Sequence, residues 1–184
     1  MNYLEIKKYD IANGPGVRIT LFVSGCTHHC KGCFNPESWD FKAGVPFTDE
    51  TIDEIIEDLS SEYIKGLTLL GGEPFEPANQ KALLPLVKKV REVYPDKDIW
   101  AFSGYLFDKQ IMDVMAEKYD FTKEFVSYID VLVDGEFHEE EKDLSIVYRG
   151  SRNQRIIDVQ KSLKSKKIVL HEKDAVRLGE YNNG

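Results

Sequence analysis

A chain of 184 residues, 42% hydrophobic and 30% charged, is long enough to bury a full core and falls within the range of one domain. No apolar run approaches the roughly 20 residues needed to span a bilayer, and the opening Met1-Asn2-Tyr3-Leu4-Glu5 has none of the basic, apolar and small-residue pattern of a secretory signal, so the expected address is cytoplasmic, without membrane contact. A formal net charge of −8 leaves no electrostatic footprint for DNA or RNA, and the basic stretch 161–167 reads as solvated surface.

The first strongly apolar stretch, 17–23, is β-branched and aromatic and runs directly into Ser24-Gly25-Cys26, which predicts a strand ending at the cysteines. Thr48, Asp49 and Glu50 then open a pattern with Ile52, Ile55, Ile56 and Leu59 at helical spacing, predicting a helix over 49–62. A second strand, 66–70, stops at Gly71-Gly72, and after Pro77 the positions Leu83, Leu84, Leu86, Val87, Val90 and Val93 again recur with helical period. A strand at 99–102 ends at Ser103-Gly104, a helical pattern covers 107–116, and a strand at 128–133 ends at Asp134-Gly135. Beyond Phe137 the pattern weakens. Glu139-Glu140-Glu141 reads as an exposed acidic loop, and Ile156, Ile157 and Val159 as part of a short strand.

Short hydrophobic strands alternating with helices imply an α/β fold with a parallel sheet and right-handed crossovers, either open or a partial barrel. The domain is expected over 1–160, with 161–184 a loosely held C-terminal extension. In such folds ligands sit at the carboxyl ends of the strands. The cysteines, Gly71-Gly72-Glu73-Pro74, Ser103-Gly104-Tyr105 and Asp134-Gly135 all fall there.

Cys26, Cys30 and Cys33 are the whole cysteine complement, spaced C-x3-C-x2-C. An odd number within eight residues of a chain in a reducing compartment is no disulfide framework. Clustered thiolates suit iron–sulfur clusters or zinc. A structural zinc site and a plain electron-transfer cluster both normally take four protein ligands, whereas three cysteines leave one corner open. The alternatives are a Cys3His zinc site completed by His28 or His29, and three cysteines that merely pack.

The sequence Cys26-Thr27-His28-His29-Cys30-Lys31-Gly32-Cys33 after one strand, with Gly71-Gly72-Glu73-Pro74 after the next, resembles the radical S-adenosylmethionine superfamily. The resemblance implies a partial (β/α) barrel of the radical-SAM type. It also implies a [4Fe-4S] cluster held by Cys26, Cys30 and Cys33, its open iron chelated by S-adenosylmethionine. Gly71, Gly72 and Glu73 would run beside the methionine moiety, the glycines allowing close approach of backbone to ligand. Many members place an aromatic residue just before the third cysteine, near the adenine; here that position is Gly32 and the aromatic follows as Phe34. The adenine contact is therefore expected from backbone groups of Gly32, Cys33 and Phe34.

Asn13-Gly14-Pro15-Gly16-Val17-Arg18 is similar to the segment that opens glycyl-radical activating enzymes. The stretches 130–137 and Arg149-Gly150-Ser151-Arg152-Asn153-Gln154-Arg155 resemble the group that activates anaerobic ribonucleoside-triphosphate reductase. The implied reaction takes an electron from reduced flavodoxin or a similar donor, splits S-adenosylmethionine, and stores a glycyl radical on the large subunit of that reductase. Glu73 and Asp134 are read as binding or structural groups, with no catalytic base required. Activation of another glycyl-radical enzyme, such as pyruvate formate-lyase, and a non-enzymatic metal-binding module are the competing readings.

Overall fold

The computed structural model describes residues 1–175. Its strands are β1 (Asn2–Asp10), β2 (Val17–Val23), β3 (Val45–Pro46), β4 (Ile64–Gly71), β5 (Asp98–Ser103), β6 (Val131–Asp134) and β7 (Arg155–Asp158). They form one open sheet in the order β3-β1-β2-β4-β5-β6-β7. The centre, β2-β4-β5-β6, is parallel; β1, β3 and β7 join antiparallel at the margins. The fold is thus mixed α/β with a sheet that does not close.

The predicted crossovers are present. In α1 (Asp49–Asp58), Thr48 and Thr51 form a reciprocal capping box, which satisfies amides that a helix start leaves orphaned. The helix stops short of the expected residue 62 because the Ser60 N–H turns back to the Glu57 carbonyl, tightening the chain ahead of β4. Pro77 opens α2 (Pro77–Val93) at the position where its missing N–H costs nothing. The pattern at 107–116 becomes a π-helical stretch, Phe107–Met115, in which the Ile111 N–H reaches the Leu106 carbonyl at 3.0 Å. It runs on into α3 (Ala116–Lys118) and is followed by α4 (Asp120–Ser127).

Alternation along the strands splits the apolar residues between two faces. Leu21, Leu69, Ala101, Leu132 and Ile157 pack with Ile55, Leu83, Val87 and Phe125 in the core beneath the helices. Trp100, Val131, Val133 and Ile156 form a second cluster, joined by Phe102 and Tyr148, on the opposite face. The helices cover one face of the central strands, while on the other Phe22, Leu70 and Phe102 line a cleft.

Two elements depart from the pattern. β1 carries Glu5, Lys7 and Lys8 and has little apolar signal of its own; pairing along β2 makes it a strand. β6 begins at Val131 because Tyr128 and Ile129 form a turn and the Asp130 carboxylate accepts from the Ile99 N–H at 2.8 Å. Of the expected C-terminal extension, residues up to 175 form α5 (Val159–Ser165) and a 3-10 turn at Glu172–Ala175, while 176–184 lie outside the described residues.

Candidate active site at the carboxyl ends of the parallel strands

The loop after β2 is held at both ends by backbone. The Gly25 N–H donates to the Ser38 carbonyl at 2.8 Å and the Cys26 N–H to the Trp39 carbonyl at 3.2 Å. The Glu76 carboxylate, buried at the mouth of α2, accepts from the Thr27 N–H at 2.9 Å and its hydroxyl at 2.5 Å. The Cys33 N–H closes on the Cys30 carbonyl at 3.1 Å. This arrangement brings Cys26, Cys30 and Cys33 to the wall of one cleft of about 1250 Å³, which Phe34, Gly71, Gly72 and Glu73 also line. Gly32 is exposed and stands outside that lining, with a left-handed φ of 74° beside the Glu139 side chain.

Glu73 is 1% exposed. One oxygen accepts from the Phe75 N–H at 2.8 Å and the Ser103 hydroxyl at 2.9 Å. The other accepts from the Gly104 N–H at 2.7 Å and lies 3.0 Å from His28 Nε2. Four donors thereby use the acceptor capacity of the carboxylate, so Glu73 ties the β4 and β5 loops to the cysteine loop. His28 Nδ1 lies 3.0 Å from Glu136 as well. Burial opposes the charged imidazole, but the hydrogen bonds and charges of Glu73 and Glu136 outweigh it and hold His28 above its usual value.

Both ring nitrogens of His28 are therefore taken by carboxylates, and His29 stacks on Trp39 with centroids 4.5 Å apart. Among the described residues, no three His, Cys, Asp or Glu side chains gather closely enough to hold one metal ion. That geometry is unlike a tetrahedral Cys3His zinc site, whose donors all sit within roughly 2.0–2.3 Å of one centre. The Asn35 N–H lies 3.4 Å from the Cys33 sulfur. Burial pushes the Cys26 thiol up to about 11 and raises Cys30, so metal binding there displaces protons. Three thiols spread over one wall fit a polynuclear cluster whose irons are ligated separately.

The glycines after β4 also let two protein backbones meet. A Cβ on Gly72 would lie 2.6 Å from the Gly25 carbonyl oxygen, and one on Gly71, at φ 110°, would lie 2.7 Å from backbone atoms of Val23. They let two backbones touch: the Gly72 N–H donates to the Val23 carbonyl at 2.7 Å and the Glu73 N–H to that of Gly25 at 2.8 Å.

Asp134, fully buried at the end of β6, accepts from the Phe107 N–H at 2.8 Å and pairs with Arg155 through two nitrogens. It is a structural group. The 149–155 stretch is knitted in place: the Gln154 side chain donates to the Gly135 carbonyl and accepts from the Gly150 N–H, and Asn153 donates to the Glu136 carbonyl. Sequence reasoning missed Glu76 and Asn79, whose amide donates to the Ser24 and Glu73 carbonyls. Their one visible signal is position, at the start of α2.

A family model described as a 4Fe-4S single cluster domain matches residues 12–157. The chain is 50% identical over 158 residues to an anaerobic ribonucleoside-triphosphate reductase-activating protein of Haemophilus influenzae, covering 85% of this chain and 97% of that one. Proteins of the same description from Pasteurella multocida and Escherichia coli K12 are 47% and 45% identical, over 85% and 84% of this chain and 96% of each of theirs.

Proposed function

Because the chain belongs to the family of anaerobic ribonucleoside-triphosphate reductase-activating proteins, with a 4Fe-4S domain, we propose that it is a radical S-adenosylmethionine enzyme that installs a glycyl radical on that reductase. The observation that carries this reading is the donor set. Three thiols share one cleft, the chain has no fourth cysteine, and both ring nitrogens of His28 are held by carboxylates. Cys26, Cys30 and Cys33 would hold such a cluster by three irons and leave the fourth for S-adenosylmethionine. The group would supply the electron for reductive cleavage to methionine and a 5′-deoxyadenosyl radical, the species that would take a hydrogen atom from a glycine Cα of the partner.

This chain's own residues bind and orient. Cys26, Cys30 and Cys33 hold the irons. Gly71 and Gly72 carry backbone to the methionine side of the cleft, and Glu73 fixes that turn from behind. Cys33 and Phe34, which line the cleft, would offer backbone groups and one ring to the adenine, while Gly32 turns the loop outside it. The cleft exceeds the roughly 300–1,000 Å³ of an ordinary small-molecule site, which suits a cluster and a nucleoside ligand together. We read the open sheet as a partial barrel of the radical-SAM type, the donor as reduced flavodoxin or an equivalent, and the setting as cytoplasmic, with no nucleic acid or membrane involved.

The test mixes the reduced, reconstituted protein and S-adenosylmethionine with the reductase large subunit and reads the glycyl radical by electron paramagnetic resonance. A doublet with this reductase and none with pyruvate formate-lyase supports the assignment; the reverse reassigns the partner.

A further inference from the structure

Phe34 directly follows Cys33, and although the residue is 63% exposed its ring has a defined seat. It packs on Phe137 with centroids 5.0 Å apart, and the Lys142 ammonium lies 5.2 Å from its centroid. Gly150 forms the remaining wall. A Cβ there would lie 2.9 Å from Cδ2 of Phe137 and 3.0 Å from Cε2 of Phe34.

Gly150 is not needed for its backbone, because its φ lies outside the left-handed region that favours glycine. What the missing side chain admits is the two rings. Gly150 is also pinned: its N–H donates to the Gln154 side chain at 2.8 Å, its carbonyl accepts from the Asp143 N–H at 3.2 Å, and Gln154 donates in turn to the Gly135 carbonyl at 2.9 Å. The stretch 149–155 therefore fixes one wall of the seat.

On the cysteine loop, the turn around Phe34 is anchored at both ends. The Cys33 N–H closes on the Cys30 carbonyl at 3.1 Å, and the Asn35 carbonyl accepts from the Ser38 N–H at 3.1 Å and from its hydroxyl at 2.6 Å. Between these anchors the Asn35 N–H lies 3.4 Å from the Cys33 sulfur. Phe34 joins the two residues of that contact, and the seat holds Phe34.

We propose that Gly150 and Phe137 are positioning residues: they seat the Phe34 ring, the seated ring keeps the Asn35 N–H on the Cys33 sulfur, and that hydrogen bond sets the reduction potential of the cluster ligated there. The inference rests on the functional reading above. Hydrogen bonds to cluster sulfurs, net charge and solvent exposure all tune such potentials. An N–H aimed at a ligating sulfur favours the more electron-rich, reduced form, so losing it lowers the potential. Greater contact with water favours the more highly charged reduced form and raises the potential, so a seat that only shielded the cluster would give the opposite sign.

Gly150→Ala and Phe34→Leu both unseat the ring without changing any charge. In the metal-free protein, the Asn35 amide is expected to exchange its hydrogen faster in both variants than in the wild type. In the reconstituted protein without S-adenosylmethionine, a redox titration followed by electron paramagnetic resonance is expected to place both midpoints below that of the wild type.

A midpoint equal to or above the wild type in either folded variant overturns the proposal while leaving the reading of the site intact. Unchanged Asn35 exchange does the same. Should Gly150→Ala fail to fold, Phe34→Leu, at an exposed position outside the core, decides by itself. A wild type that takes up no four-iron cluster overturns the reading and the proposal together.

Discussion

Arg18 and Asp98, eighty residues apart, are joined by an ion pair of 2.5 Å on the cleft-facing side of the sheet. The Arg18 side chain is 0% exposed; its remaining donors reach the Thr68 hydroxyl at 2.7 Å and the Leu67 carbonyl at 2.9 Å. Three strands, β2, β4 and β5, therefore meet at one guanidinium. Removing Arg18 leaves Asp98, itself a quarter exposed, and the buried Thr68 hydroxyl without this donor, at a cost of about 1–3 kcal/mol. Arg18→Ala is expected to lower unfolding free energy in urea by about that amount, and a loss under about 1 kcal/mol would mean that water reaches the site and replaces the pair.

Glu73 is the acceptor for four donors from three loops. Glu73→Ala orphans buried N–H and O–H groups, each worth about 1–3 kcal/mol when unsatisfied. The expected result is a protein destabilised by several kcal/mol that takes up less iron on reconstitution. Glu73→Gln is expected to fall between, since its NH2 group must face one of those donors. Unchanged stability for the Ala variant would contradict the role given to Glu73.

Gly72→Ala places a methyl group 2.6 Å from the Gly25 carbonyl oxygen and 2.9 Å from that of Ser38. Neither is the end of a flexible side chain, so backbone must move, at about 1–3 kcal/mol. The displaced backbone immediately precedes Cys26. Both the urea midpoint and the iron content after reconstitution are expected to fall; an unaltered protein would show that the two loops have slack.

His171 packs edge-on to Trp100 with centroids 5.4 Å apart, and its Nδ1 accepts from the Lys173 N–H. Burial lowers its affinity for a proton; Glu172 and Asp158 oppose this while Lys173 and Lys161 reinforce it. A histidine with a depressed folded value binds a proton more readily when unfolded, so its contribution is complete above about 6.5 and is lost as pH falls below that value through the folded one. Thermal unfolding of wild type and His171→Gln, compared from pH 7.5 to 5, is expected to show the wild type losing more stability on acidification. Parallel curves would place His171 in water.

Much of this arrangement was legible in the residues. The strand before the cysteines, the crossover helices and the placing of each unusual cluster after a strand follow from periodicity and glycine positions, which are local properties. β1 was hidden because a marginal strand with Lys7 and Lys8 draws its order from its neighbour. The roles of Glu73, His28 and Glu136 were hidden for a related reason: partners 45 and 108 residues apart are set by how the loops converge in space. The packing of Gly71 and Gly72 on the backbone of β2 and its loop was hidden for the same reason.

The most direct measurement is anaerobic reconstitution with iron and sulfide, followed by dithionite and S-adenosylmethionine, with 5′-deoxyadenosine as the readout in wild type and in Cys30→Ala. Radical S-adenosylmethionine chemistry at the three thiols predicts product from the wild type and none from the variant. A reduced four-iron wild type that yields neither 5′-deoxyadenosine nor, with the reductase added, a glycyl radical would contradict it.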